Sequence, residues 1–168
     1  MAAKTGTYTL IAGTTLSATA TNVTFSSIPA TYTDLIIVGN YTFNSSDRAF
    51  VWYNGDTGNN YSQTFLYGNG TSALSTSNIN YGAGYIDNVA SAGSGESVAF
   101  NMHYMDYANT TTFKTALARL SHPDKNASLC AQLWRSTAAI NQIAFRGASG
   151  GSFSIGSTFR LYGIEAAK

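Results

Sequence analysis

Charge is what this sequence has least of. Only 10% of its 168 residues are Asp, Glu, Lys or Arg, whereas about 25% is usual for a soluble domain. Nine basic and eight acidic residues give a net charge of +1, and the basic ones are scattered along the chain. The sequence therefore lacks the basic cluster that nucleic-acid binding requires, and we predict no nucleic-acid partner.

Cysteine, proline and long apolar runs are also scarce. The single cysteine, Cys130, excludes an internal disulfide, and its apolar neighbours predict a small buried side chain. No apolar run approaches the roughly 20 residues of a membrane-spanning helix. The N-terminus has no apolar segment of the length that a signal peptide requires. We therefore expect neither membrane contact nor secretion.

Groups suited to catalysis or metal binding are few. The only histidines are His103 and His122, no nucleophile elbow accompanies either of them, and the eight acids occur singly, mostly beside turns. Residues 54–59 alternate oxygen ligands with glycine but lack the closing Glu of an EF-hand. We predict no enzyme, no metal and no cofactor. A carboxylate pair brought together from distant positions, as in a glycosidase, is kept as the alternative.

What the sequence does contain favours β-structure. It is 44% hydrophobic and 13% aromatic, too apolar for a disordered chain, and its abundant Ser, Thr, Asn and Gly disfavour helices. Apolar residues alternate with polar ones in short runs bounded by turn residues. Residues 110–120 also fit helical spacing, but their threonines favour a strand. About ten strands are predicted, near residues 8–10, 23–25, 35–43, 49–53, 61–67, 98–104, 110–120, 128–135, 139–145 and 158–164.

These strands predict an all-β fold, an antiparallel β-sandwich of the jelly-roll type. No linker or charge step divides the chain, so we predict one domain over residues 1–168, with its core between about 5 and 165. Residues 35–38 form a continuous apolar run, which indicates a strand covered on both faces. Residues from about 68 to 97 are the least patterned and are expected to form a long polar surface excursion.

Tyrosine is the only residue type whose abundance suggests a function. The chain has 11, and tyrosine is favoured at interfaces because it combines a large apolar ring with a polar tip. Trp52 and Trp134 lie in apolar strands and are expected in the core. The candidate binding residues are the tyrosines that flank or occupy the excursion: Tyr53, Tyr61, Tyr67, Tyr81 and Tyr85.

Two groups of segments resemble small structural proteins of tailed bacteriophages. Near the N-terminus the stretch runs from YTLIA (residues 8–12) through VTFSSIP (23–29) to YTDL (32–35). Near the C-terminus the segments are WRSTAAI (134–140) and GSTFRLYGI (156–164). The resemblance covers about a quarter of the chain. It implies a virion protein, made in the host cytoplasm and located on the particle.

Within that family two functions are expected. The first is a capsid decoration (cement) subunit on the outer surface of the head, a homotrimer or other homo-oligomer that binds the major capsid protein and bridges capsomers. A nearly neutral surface suits this role, because few charges must be stripped of water at the interface. The alternative is a receptor- or glycan-binding module of a tail or head fibre, which the tyrosines suggest.

Overall fold

Short alternating runs separated by Asn, Gly and Ser turns fold into β-strands along the chain. The computed structural model describes residues 7–87, 92–122 and 125–165. Within these ranges the strands are β1 (Tyr8–Thr15), β2 (Asn22–Phe25), β3 (Asp34–Tyr41), β4 (Ala49–Tyr53), β5 (Tyr61–Gly68), β6 (Ala73–Tyr81), β7 (Gly84–Tyr85), β8 (Val98–Met105), β9 (Lys114–His122), β10 (Asn126–Trp134), β11 (Ile143–Gly147) and β12 (Thr158–Ile164).

The strands form two sheets that pack face to face as an antiparallel β-sandwich of jelly-roll type. The larger sheet has eight strands in the order β1-β12-β3-β8-β9-β10-β5-β6, and the smaller has four in the order β2-β11-β4-β7. All paired strands are antiparallel. Among the described residues, no helix is long and apolar enough to cross a membrane.

Aromatic rings fill the middle of the core. They come from both sheets and from the segments between strands, with ring centroids from 4.8 Å (Phe43 to Phe153) to 6.3 Å (Tyr41 to Phe159) apart. Each ring has at most 5% of its surface exposed, so truncating one to alanine should cost about 3–5 kcal/mol. The rings are Tyr41, Phe43, Phe100, Phe145, Phe153 and Phe159.

The predicted all-β sandwich is confirmed, but about ten strands was an undercount. Both additional strands, β6 and β7, lie within residues 68–97, where we predicted a surface excursion. Strand β6 escaped detection because seven of its nine residues are exposed, so no buried face marks it in the sequence. Residues 88–91 of the predicted excursion lie outside the described residues.

The choice of a strand over a helix for residues 110–120 is confirmed. The strand is β9, which begins at Lys114. The run 35–38 was expected to be covered on both faces, and this was wrong. Leu35 and Ile37 are fully buried, whereas Ile36 and Val38 face outward and line a hollow open to solvent.

Candidate functional site

An aromatic patch lies where the outer face of the four-stranded sheet, the face turned away from the core, meets the end of β6 in the eight-stranded sheet. Strand β4 places Ala49, Val51 and Tyr53 in the core and therefore turns Phe50 and Trp52 outward. Pairing of β7 with β4 sets Tyr85 opposite Phe50. We define the aromatic patch as five side chains: Phe50, Trp52, Tyr81, Tyr85 and Arg146.

The rings of the patch form a chain of contacts, from Trp52 through Phe50 and Tyr85 to Tyr81. The Phe50 and Trp52 centroids are 4.9 Å apart with the planes at 61°, and those of Phe50 and Tyr85 are 6.1 Å apart. Tyr81 meets Tyr85 edge to face at 5.7 Å. Such inclined contacts favour the ring quadrupoles and stabilise each pair by about 0.5–1.5 kcal/mol beyond burial. The four rings therefore pack as one cluster, in which Phe50 is 8% exposed and supports the more exposed rings beside it.

Trp52 is held from two sides. Its indole Nε1–H donates a hydrogen bond of 2.8 Å to the carbonyl of Gly82, and the guanidinium of Arg146 lies 5.0 Å from its ring centroid. Arg146 is exposed and comes from the neighbouring strand β11, where it pairs with Phe50. The contact is a cation–π interaction of about 0.5–1 kcal/mol at such an exposed site.

Tyr85 is positioned through its backbone. Its carbonyl accepts a 2.5 Å hydrogen bond from Gln132 Nε2 on the eight-stranded sheet. Gly84 approaches the same side chain so closely that a Cβ there would lie 2.6 Å from Gln132 Oε1. Burial, the largest effect, raises the pKa of the Tyr85 hydroxyl above its ordinary value. That hydroxyl is therefore a neutral donor and acceptor across the physiological range.

The second surface is the outer face of the eight-stranded sheet. Hollows of about 830, 420, 250 and 180 Å³ lie along it. Among the described residues, Arg119 is the one charged side chain that lines these hollows, and it borders the three largest. Four large apolar side chains are exposed on this face among polar ones such as Thr115, namely Leu10, Leu66, Met105 and Leu117.

The guanidinium of Arg119 has fewer hydrogen bonds than that of Arg135, which directly follows β10 of the same sheet. Its Nε donates one 3.3 Å hydrogen bond, to Asn101 Oδ1. The guanidinium of Arg135 instead bonds Ser62 Oγ, the Asn59 carbonyl and Asn80 Oδ1 at 2.6 to 2.9 Å. Arg135 thus has a structural role in joining β5, β6 and the preceding loop.

Two of the five predicted binding tyrosines are core residues, which corrects that part of the prediction. Tyr53 is 2% exposed and Tyr61 fully buried. Tyr53 donates a 2.7 Å hydrogen bond to Gln132 Oε1, and Tyr61 donates one of 2.8 Å to the Asp56 carbonyl. Both hydroxyls therefore satisfy internal polar groups, and neither ring offers a surface to a ligand.

The other three tyrosines lie in two places. Tyr81, 43% exposed, and Tyr85 come together in the aromatic patch. Tyr67 is on the core-facing side of β5, where it is partly buried and packs against the core at the margin of the 830 Å³ hollow. Sequence reasoning missed Phe50, Trp52 and Arg146, because the run Ala49–Tyr53 is apolar throughout and shows no alternation. Trp52 was expected in the core and is only half-buried.

The two histidines and Asp56, which the sequence analysis considered for catalysis or metal binding, have partners within the protein. His103 Nε2 is 2.8 Å from Asp34 Oδ2, and His122 Nε2 is 3.1 Å from Glu96 Oε2. In the loop over residues 54–59, burial alone would raise the pKa of Asp56, but hydrogen bonds from Trp134, Asn60 and Gly58 outweigh it, so the pKa is lowered. That carboxylate fixes the loop and Trp134, with Trp134 Nε1 at 2.7 Å.

Two other features bear on reactivity. Burial, foremost, raises the pKa of the Cys130 thiol to about 12, so that it is an unreactive thiol in the core. Within residues 7–87, 92–122 and 125–165, no group of three or more His, Cys, Asp or Glu side chains is placed to hold a metal ion.

No protein-family model and no curated protein matches the sequence. Among solved structures the chain is similar to the exoplasmic/lumenal domain of VIP36 in its Ca²⁺/Man3GlcNAc-bound form (11% identity, covering 96% of this chain and 86% of that one, TM-score 0.42). It is also similar to alginate lyase Aly36B (7%, 82% and 72%, TM-score 0.35) and to CG-16, a homodimeric agglutinin from chicken liver (9%, 82% and 98%, TM-score 0.32). Similarities this distant carry no argument about function.

Proposed function

We propose that this protein is a non-catalytic glycan-binding module whose aromatic patch stacks against sugar rings. The observation that carries the proposal is the arrangement around Trp52, where the indole is fixed by Gly82 and Arg146 and flanked by Phe50. Tyr81 and Tyr85 extend this surface. A sugar presents C–H groups on one face, and these are attracted to the negative face of an aromatic ring.

The fixed geometry of the patch supports binding. Side chains that are already ordered lose little entropy on contact, whereas ordering a mobile one costs about 0.5–1.5 kcal/mol. The hydroxyls of Tyr81 and Tyr85 and the guanidinium of Arg146 can bond sugar hydroxyls at the rim. Apolar faces bordered by a few polar groups are the usual composition of small-ligand sites.

The other face offers little for hydrolysis of a glycan. Glycosidases use two carboxyl groups beside the bond that they cleave. Among the described residues, none of the Asp and Glu side chains lines the hollows of the eight-stranded sheet, where Arg119 is the charged group. The hollows of this face therefore supply no carboxylate pair of that kind.

The test compares two exposed tyrosines, one inside the aromatic patch and one outside it. Tyr81 is 43% exposed in the patch, and Tyr8 is 57% exposed beside a hollow of the other face. A glycan array with the wild-type protein identifies a ligand, and calorimetry then measures its affinity. We expect Tyr81→Ala to weaken binding about tenfold, which is about 1.4 kcal/mol, and Tyr8→Ala to leave it unchanged. Loss of binding with Tyr8→Ala alone would place the glycan on the other face.

A second candidate function is capsid decoration, within the virion setting that the resemblance implies. The observation that favours it is the broad outer face of the eight-stranded sheet, with exposed Leu10, Leu66, Met105 and Leu117. Exposed apolar area of this kind suits docking on another protein surface, here the major capsid protein. Quantitative mass spectrometry and labelled imaging of particles test it: hundreds of copies on the head support decoration, and a few copies at a fibre contradict it.

A further inference from the structure

Strand β6 forms an edge of the eight-stranded sheet and is open to solvent. Among the described strands it pairs with β5 alone, and seven of its nine residues are exposed. At about 3.4 Å per residue, this edge offers roughly 30 Å of backbone with unpaired N–H and C=O groups. An open edge of this length is a template for pairing with another strand.

Residues 73–78 of β6 lack the usual protections of an edge. Its sequence, ALSTSNINY, contains no charged residue and no proline, and both are common devices against edge pairing. Its one irregularity lies near the end, opposite residues 61–63, where Asn80 has a φ of 57°. The opposite edge, β1, has its register shift inside the strand, between Leu10 and Ala12. Residues 73–78 of β6 therefore offer a regular pairing segment that β1 lacks.

The composition of β6 suits a second copy of the same strand. In an antiparallel pair around a two-fold axis each residue faces its own strand again, so any charge would stand near an equal charge. An uncharged strand avoids this repulsion. Ser75, Thr76 and Ser77 can hydrogen-bond across such a pair. Leu74 and Ile79, 43% and 73% exposed, would lose contact with water.

We propose that two copies of this chain pair antiparallel through β6, giving one continuous sheet across a two-fold axis. The dimer carries two aromatic patches. On a surface that presents many glycans, two linked sites bind more tightly than one, without any new contact to sugar. The dimer itself does not rest on the proposed function.

The test is the oligomeric state in solution. Sedimentation equilibrium should give a dimer for the wild-type chain. The double variant Ser75→Lys/Ser77→Lys should be a monomer with an unchanged circular dichroism spectrum, because its exposed lysines repel across the axis. Thr15→Lys, at an exposed position of the opposite edge strand β1, is the matched control and should remain a dimer. Mixing the lysine variant with Ser75→Glu/Ser77→Glu should restore a heterodimer.

Three outcomes would overturn the proposal. They are a wild-type monomer at every concentration, a trimer, or a dimer that the lysines do not disrupt. Hydrogen exchange provides an independent measurement, since amides of residues 73–78 should exchange more slowly in the wild-type dimer than in the lysine monomer. Equal exchange would also contradict β6 pairing. Affinity of the lysine monomer for a single soluble oligosaccharide should equal that of the wild type, so loss of the dimer and loss of glycan binding are separable.

Discussion

The two outer faces of the sandwich differ in how firmly their side chains are held. In the aromatic patch, formed by the four-stranded sheet and the end of β6, each ring contacts another ring, and Trp52 is also fixed by a hydrogen bond and a cation. On the eight-stranded sheet Leu66 and Leu117 are exposed, and Arg119 has one 3.3 Å hydrogen bond to Asn101.

This difference separates two kinds of recognition. Small ligands are bound best by groups that are already ordered, because little entropy is then lost. A broad face of exposed aliphatic side chains gains free energy only when a large partner covers it. We therefore expect substitutions in the aromatic patch to change glycan affinity, and matched substitutions on the outer face of the eight-stranded sheet to leave it unchanged.

The largest effect on stability and binding is expected from a substitution at Gly84, where β7 packs against Gln132 of the eight-stranded sheet. Gly84→Ala would place a Cβ 2.6 Å from Gln132 Oε1 and 3.2 Å from Val51 Cγ1. Gln132 cannot move freely, since it also bonds Tyr53 and the Tyr85 carbonyl. Strand β7 should therefore shift outward with Tyr85. We expect a loss of about 1–3 kcal/mol in unfolding free energy, typical of overpacking, and weaker glycan binding, measured by urea denaturation and calorimetry.

The control for Gly84 is another strand glycine. At Gly68, on β5 of the eight-stranded sheet, a Cβ would meet only the Ser72 carbonyl, at 4.0 Å. Gly68→Ala should change the unfolding free energy by less than about 0.5 kcal/mol, as usual for surface sites, and should not affect binding. If Gly84→Ala binds glycan as well as the wild type does, close packing of β7 does not position the patch.

How far the sequence predicts this molecule depends on whether a strand buries one of its faces. Strands such as β8 and β9 alternate buried and exposed residues along their whole length, and their positions follow from the pattern. Strand β6 buries neither face. Its neutral polar residues over 73–81 therefore show no alternating pattern, and we predicted a surface excursion there. Its strand conformation comes from pairing with β5, a contact that is not encoded locally.

The site was predictable only in part, for a related reason. Tyr81 and Tyr85 were predicted from their residue type and their place in a polar segment. The surface position of Trp52 depends on which face of β4 meets the core, and an unbroken apolar run cannot show this. Arg146 reaches Trp52 only because β11 lies beside β4. Tyr53 and Tyr61 were misplaced because hydroxyls can be satisfied inside the core as well as at a surface.

A smaller effect on glycan affinity is expected from removing the charge of Arg146, whose guanidinium lies over Trp52. Arg146→Gln removes a cation–π contact of about 0.5–1 kcal/mol, which should lower glycan affinity about two- to fivefold by calorimetry. Arg160, also exposed and on β12 of the other sheet, gives the matched variant Arg160→Gln. That change should not alter affinity. Equal losses for both variants would instead indicate a long-range effect of charge, which rising salt concentration would screen.

The smallest effect should come from Glu96, which contacts His122 at the end of β9, and it should be on stability alone. A hydrogen bond from Lys125, foremost, then the Gly93 N–H and the charges of Lys125 and His122 lower the pKa of Glu96 to about 2. In the unfolded chain this carboxyl takes a proton near its ordinary value of 4.5. Its stabilising contribution is therefore complete above pH 4.5 and is lost as the pH falls through about 2.

Glu96→Gln tests this contribution without touching either outer face. The variant should be less stable than the wild type at pH 7, and the difference should shrink as thermal unfolding is followed from pH 4.5 towards pH 2. Lys125→Gln should produce the same trend, because it removes the 2.9 Å ion pair from the other side. Glycan affinity at pH 7 should match the wild type in both variants. A stability difference that stays constant with pH would mean that Glu96 acts through its shape and not through its charge.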